Sequence, residues 1–105
     1  MMPINKIFVT IKQLVNNVDP NAKIILYGSF ARGDNRSNSD IDLLILVDKE
    51  KITYQEEKQL KYPLYDLEFE TGQIISPLVL SKKAWETKHR ITPFYTNVTN
   101  EGIEL

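Results

Sequence analysis

Two aspartates on either side of one isoleucine, Asp40 and Asp42, are the residues of this sequence best suited to metal chemistry. They stand in an apolar run that reaches Val47 and predicts a central strand. Residues two apart on a strand point to the same face, about 6.6–6.8 Å apart along the chain. Two carboxylates this close repel each other, and a divalent cation would relieve the repulsion. The pair could also share two cations about 3.5–4 Å apart with bridging phosphate oxygens.

A glycine-serine turn lies shortly before the aspartates. Gly28 and Ser29 follow the apolar run Lys23–Tyr27, which predicts a strand that ends in a sharp turn. Glycine permits unusual torsions, and exposed amides at such a turn suit an anion such as a triphosphate. Ser29 adds a hydroxyl donor, and Arg32 adds a planar cation that matches phosphate geometry. Arg36 is a second candidate for a phosphate contact.

The composition limits the chemistry that such a site can use. The chain has 105 residues, a net charge of −1, no cysteine and a single histidine. Thiolate zinc sites, cysteine nucleophiles and sites that need two imidazoles from one chain are therefore excluded. Carboxylates and phosphates favour a hard ion such as Mg²⁺. The charge balance provides no global positive field for nucleic acid.

The length predicts one domain over residues 1–105. No apolar stretch is long enough to cross a membrane, and the start of the sequence lacks the apolar run of a signal peptide. Together with the absence of cysteine, these features predict a cytoplasmic protein.

Periodicity and turn signals predict alternating helices and strands. Thr53 and Glu56 form a capping box that opens the second long helix, and Pro63 is expected to kink or restart that helix. Pro77 favours an edge position or a bulge in the third strand. The predicted elements are helix Ile4–Val18, strand Lys23–Tyr27, a loop and short helix over Ser29–Gly33, a polar loop Asp34–Ser39, strand Asp40–Val47, a helix from Thr53 to Gly72, strand Gln73–Leu80, helix Lys82–Arg90 and a helix from Thr92 to Gly102.

Two stretches together resemble the signature of the minimal nucleotidyltransferases, which belong to the DNA polymerase β-like superfamily. They are Leu26–Gly33, with its Gly-Ser pair, and Ser39–Leu44, with its Asp-Ile-Asp. The resemblance implies an α+β fold in which a small mixed sheet has helices packed on one face. The predicted order of elements extends the likeness over most of the chain.

The resemblance also implies roles for individual residues. Gly28 and Ser29 would bind the phosphates of a nucleoside triphosphate, with ATP favoured, and Arg32 would stabilise their charge. Asp40 and Asp42 would bind Mg²⁺. Many members of this family are paired with a helical HEPN partner in toxin–antitoxin modules. The resemblance therefore implies transfer of AMP to a hydroxyl, with a partner protein as one candidate acceptor.

One feature of the family is missing from the matching strand. Family members have a third carboxylate on a later strand, where it helps to bind the catalytic metal. The corresponding strand here, Gln73–Leu80, contains no acid, and Ser76 is the expected equivalent. A hydroxyl supplies neither the charge nor the basicity of a carboxylate. Other acids could approach the site instead, and they are Asp34, Asp66, Glu68 and Glu70.

Two functions therefore stay open at the level of sequence. The first is an active nucleotidyltransferase that uses one Mg²⁺, or two if a third acid is supplied from elsewhere. The second is a catalytically degenerate domain that acts as a partner-binding antitoxin-type module. A carboxylate from Asp66, Glu68 or Glu70 close to Asp42 would favour the enzyme. Ser76 facing the aspartates with no such acid nearby would favour the binding module.

Overall fold

A four-stranded sheet forms the centre of the computed structural model, which describes residues 2–105. The strand order is β3-β2-β1-β4, with β1 antiparallel to both β2 and β4 and with β2 parallel to β3. The elements are α1 Ile4–Val18, β1 Lys23–Tyr27, α2 Ser29–Arg32, β2 Ile41–Val47, α3 Tyr54–Thr71, β3 Ile75–Ser81, α4 Lys82–Glu86, α5 Pro93–Glu101 and β4 Ile103–Glu104. The predicted α+β class with a mixed sheet is confirmed.

The two faces of β2 belong to two different apolar clusters. Ile41, Leu43 and Ile45 point into a core covered by α1 and α3, whereas Leu44 and Leu46 point to the opposite face. On that opposite face they pack with residues of α4 and α5, including Trp85 and Val98. The expectation of helices on one face therefore holds for the two long helices, while the two short carboxyl-terminal helices lie on the other face. Asp42 lies two residues before Leu44 on β2, so its side chain points to the same face, which α5 covers.

The long helices follow their sequence signals closely. Helix α1 has the predicted bounds and buries Ile7, Ile11 and Val15 at helical spacing. Helix α3 begins with the predicted capping box, in which the Thr53 hydroxyl accepts from the amide of Glu56. Among the described residues, no helix is long and apolar enough to cross a membrane.

The prediction that the second long helix could restart at Pro63 was wrong, because α3 is one helix from Tyr54 to Thr71 with Pro63 inside it. A proline inside a helix removes one backbone hydrogen bond and costs about 3 kcal/mol. Leu60, Leu64 and Leu67 lie on one face of α3 and are all buried in the core. Burial of these side chains on both sides of Pro63 offsets the lost hydrogen bond, so the helix continues past the proline.

Several boundaries at the carboxyl-terminal end differ from the prediction. Helix α4 ends at Glu86 rather than Arg90, and the short strand β4 was not predicted. The third strand begins at Ile75 instead of Gln73, and it lies at a sheet edge, as Pro77 indicated. Its neighbour β2 begins at Ile41, so Asp40 precedes the strand.

Candidate active site

Three neighbouring strands bring the candidate residues to one end of the sheet. Tyr27, the last residue of β1, pairs with Asp42 on β2, and Asp42 pairs with Ser76 on β3. The Gly28 turn therefore lies on one side of Asp42, and Ser76 lies on the other. The sequence placed Gly28 and Asp42 in separate motifs, and strand pairing makes them neighbours.

Gly28 lies so close to the Asp42 carboxylate that any side chain at position 28 would require the carboxylate to move. A Cβ atom built on Gly28 would overlap Oδ2 of Asp42. The Gly28 torsions, φ 76° and ψ −156°, lie in a region that is essentially restricted to glycine. The torsion favours glycine here, and the lack of a Cβ lets the backbone of the turn lie against the Asp42 carboxylate.

Asp40 precedes β2, and hydrogen bonds of its two chain neighbours to the segment before β3 fix its position. The amide of Ile41 donates to the carbonyl of Ile74 at 2.9 Å, and Gln73 Nε2 donates to the carbonyl of Ser39 at 2.8 Å. The Ser76 hydroxyl donates to Oδ2 of Asp40 at 3.5 Å, a long hydrogen bond. These contacts place Asp40 beside Ser76 even though Asp40 is exposed and lies outside β2.

Asp42 lies in an environment that opposes its negative charge. Partial burial raises the pKa of the Asp42 carboxyl, and the nearby charge of Asp40 raises it further. Arg32 acts in the opposite direction, and Glu101 adds to the increase. Burial raises the pKa of the Tyr27 hydroxyl, and the Asp42 carboxylate raises it further. A bound cation would counter the charge of the two aspartates, so the electrostatics favour a cation at this position.

Arg32 reaches the site but already binds two carboxylates. Its Nε donates to Oδ2 of Asp34 at 3.1 Å, and its Nη1 donates to Oε2 of Glu101 at 2.9 Å. The side chain remains 47% exposed, so a phosphate could still reach it from solvent. Arg36 lies in the exposed loop, where its amide donates to the Ser39 hydroxyl.

No acid of α3 replaces the third carboxylate. The Glu68 carboxylate accepts from the amide of Ile75 at 2.7 Å, which fixes the start of β3. Asp66 and Glu70 are exposed on α3, and the carboxylates whose charges act on Asp42 are Asp40 and Glu101. Within residues 2–105, no group of three or more His, Cys, Asp or Glu side chains is arranged to hold a metal ion.

Glu101 is the residue that sequence reasoning missed. It ends α5, and its Oε2 accepts from the amide of Gly28 at 3.0 Å as well as from Arg32. Gly28 and Glu101 are 73 residues apart along the chain. A single acid at the end of a helix has no spacing relation to the earlier motifs, so no sequence signal pointed to this contact.

The aspartate pair provides hard oxygen ligands of the kind that Mg²⁺ prefers. This ion is commonly held by one or two carboxylates, with waters and substrate phosphates completing its shell. Asp40 and Asp42 fit that pattern, because they flank an open end of the sheet beside a turn with backbone donors. They do not form a closed protein cage, which would need more carboxylates than the two aspartates supply.

Comparisons with known proteins show the family of the chain. The sequence model described as "Nucleotidyltransferase domain" matches residues 4–92. Two proteins of Methanocaldococcus jannaschii, each named "Putative protein adenylyltransferase", are similar to the chain. One is 34% identical over 84 residues, which cover 79% of this chain and 77% of the relative. The other is 37% identical over 86 residues, which cover 79% and 76%.

Two solved structures share the fold. A structure titled "Structure of putative minimal nucleotidyltransferase" superposes with a TM-score of 0.62 and 23% identity, over 99% of this chain and 97% of that one. A structure titled "Crystal structure of the toxin-antitoxin with AMP-PNP" superposes with a TM-score of 0.61 and 18% identity, over 97% and 72% of the two chains. At these identities the likeness establishes the arrangement of elements.

The close approach at Gly28 can be tested with a matched pair of alanine variants. Gly28 and Gly33 both have positive φ, but a Cβ at Gly33 would meet nothing within 4 Å. We expect Gly33→Ala to lower the free energy of unfolding by about 1 kcal/mol, the cost of a left-handed torsion. Gly28→Ala should lower it by at least ~2 kcal/mol, because torsional strain and overlap with Asp42 add. Urea denaturation measures both, and equal losses would contradict the close approach.

The electrostatics of Asp42 predict two variants with opposite effects. In metal-free protein, Asp40→Asn should lower the pKa of Asp42 because it removes a repelling charge, and Arg32→Ala should raise it. The native state binds the Asp42 proton more tightly than the unfolded state does. The free energy of unfolding should therefore fall as the pH rises from the unfolded to the folded pKa of Asp42. Carboxyl ¹³C shifts followed against pH measure the pKa, and shifts in the same direction in both variants would refute this account.

Proposed function

The chain belongs to the nucleotidyltransferase domain family, and we propose that it binds a nucleoside triphosphate with Mg²⁺ and transfers the nucleoside monophosphate to a hydroxyl group. ATP is the favoured donor, and AMP is then the transferred group. The observation that carries the proposal is the contact between the Gly28 turn and Asp42, with Asp40 alongside. This contact places backbone donors suited to phosphates next to carboxylates suited to a cation.

Each residue of the site has a distinct proposed role. Asp40 and Asp42 would hold Mg²⁺, which when bound supplies positive charge against the phosphates. The turn at Gly28 and Ser29 would bind the outer phosphates through backbone amides and the serine hydroxyl. Arg32 would stabilise negative charge with its planar group. The combined effect is to position and neutralise the triphosphate, which is the main contribution of a protein to phosphoryl transfer.

The reaction joins an acceptor oxygen to the α-phosphorus and breaks the bond from that phosphorus to the bridging oxygen of pyrophosphate. Pyrophosphate leaves with the electron pair, and the acceptor hydroxyl loses its proton to solvent water. Ser76 lies beside Asp42 where a carboxylate could assist that proton loss, and a hydroxyl is a poor base. We therefore expect slow turnover. A tyrosine hydroxyl should be a better acceptor than an aliphatic alcohol, because its lower pKa makes the proton easier to remove.

The names of the relatives favour a protein as the acceptor. Both Methanocaldococcus jannaschii proteins carry the name of protein adenylyltransferases, and one structure with this fold is a toxin–antitoxin assembly. We propose a helical partner of the HEPN class as the candidate acceptor. The cytoplasm is the proposed place of action, because it supplies both ATP and Mg²⁺.

A second function is favoured by the side chain at position 76. Ser76 faces Asp40, and none of the α3 acids reaches the pair. In this alternative the domain no longer transfers a nucleotide and acts by docking on its partner as an antitoxin-type module. The two functions share the fold and the turn. They differ in whether the nucleoside monophosphate is transferred from the nucleotide to the partner.

A transfer assay distinguishes the two functions. The protein is incubated with Mg²⁺, ATP labelled in the α-phosphate and a HEPN-class partner. We expect label on the partner, with at least a hundredfold loss in Asp40→Asn and in Asp42→Asn, because each removes a cation ligand. Asp66→Asn is the matched control, since this acid is exposed on α3, and it should transfer at the native rate.

The outcome with position 76 separates a slow enzyme from a decayed one. No transfer by the native chain, combined with transfer by Ser76→Asp, would establish a decayed site, as the binding-module alternative requires. Transfer that is unchanged in Asp42→Asn would contradict the proposed site.

A further inference from the structure

The phosphate-binding side of the turn already holds an anion that belongs to the protein. The carboxylate oxygen Oε2 of Glu101 accepts from the Gly28 amide at 3.0 Å and from Arg32 Nη1 at 2.9 Å. These are the two kinds of donor, a turn amide and a guanidinium, that bind phosphate oxygens in proteins. A carboxylate oxygen in this position makes the contacts that a phosphate oxygen would make.

We propose that Glu101 occupies the position of a nucleotide phosphate on the Gly28 turn, and that a nucleoside triphosphate binds only by displacing this carboxylate. The inference rests on the proposed function and adds to it an internal competitor. Glu101 thereby sets the nucleotide affinity of the site without being part of the machinery that binds the nucleotide.

The end of α5 is fixed firmly enough to make this contact specific. Val98 is buried against the sheet, and a Cβ at Gly102 would overlap the Val98 carbonyl and a methyl group of Ile25. Strand β4 then pairs with β1, and the amide of Leu105 donates to the carbonyl of Ile24 at 2.9 Å. The backbone on both sides of Glu101 is thus packed on β1. Displacement of the carboxylate therefore requires rotation of one side chain and leaves α5 in place.

The charges and the solvent exposure around the site allow a nucleotide that carries Mg²⁺ to displace the Glu101 carboxylate. Glu101 is 22% exposed at its side chain and Arg32 is 47% exposed, so the pair is in contact with water and can exchange partners. Displaced into solvent, the carboxylate regains hydration. Before displacement it also adds negative charge close to Asp42, which repels an incoming triphosphate and attracts a cation. Binding of Mg²⁺ with the nucleotide would counter that repulsion.

Calorimetry with Mg²⁺ and AMP-PNP, in the absence of an acceptor protein, tests the competition. Glu101→Gln removes the charge and keeps the shape, so we expect AMP-PNP to bind about tenfold more tightly, which corresponds to about 1.4 kcal/mol. Glu101→Ala, which also removes the acceptor, should give at least the same gain. Glu104→Gln is the matched control. Glu104 is a nearby acid on β4 that pairs with Lys23 at 3.6 Å, and its variant should bind as the native chain does.

Binding of inorganic tripolyphosphate, which lacks base and sugar, shows whether the gain in affinity arises at the phosphate position. A similar gain for this probe in Glu101→Gln supports competition at the phosphate position. A gain confined to AMP-PNP would overturn that assignment. Equal or weaker AMP-PNP binding by both Glu101 variants, with binding by the native chain, would overturn the inference and leave the proposed function standing. Absence of AMP-PNP binding in the native chain and every variant would overturn both.

Discussion

The close contact between the Gly28 backbone and the Asp42 carboxylate is the constraint on which the rest of the site depends. Antiparallel pairing of β1 with β2 sets Tyr27 opposite Asp42, so the residue after Tyr27 must turn away directly beside a carboxylate. Glycine adopts this torsion without strain, and its lack of a Cβ leaves room for the carboxylate where it stands. Because the turn is this close, its donors and the aspartates can act on one ligand rather than on two separate ones.

The site also concentrates negative charge that the fold itself does not need. Partial burial raises the pKa of Asp42, and the negative charges of Asp40 and Glu101 raise it further. The positive charge of Arg32 offsets only part of this increase. An arrangement that destabilises its own carboxylate is typical of binding and catalytic sites, where function is retained at a cost in stability. The core on the α1 and α3 side supplies the stability, because its residues are fully apolar and buried.

Local signals predicted most of the fold, and long-range contacts account for what they missed. The periodicity of Ile4–Val18, the capping box at Thr53 and the Gly28 turn each act within a few residues, and the structure has all three. The continuity of α3 through Pro63 depends on burial of leucines against α1 and the sheet, which the sequence alone does not specify. Glu101 reaches the turn only because α5 packs on β1, so it could not be predicted from spacing.

Paramagnetic broadening by Mn²⁺ in the presence of AMP-PNP is the most direct test of a joint nucleotide and metal site. Mn²⁺ is a hard cation that substitutes for Mg²⁺ at carboxylate and phosphate oxygens. We expect the amide signals of Gly28, Asp40, Asp42 and Ser76 to broaden first, and Asp42→Asn to abolish this effect. Broadening centred on other acids, such as those of α3, or broadening that persists in Asp42→Asn, would contradict it.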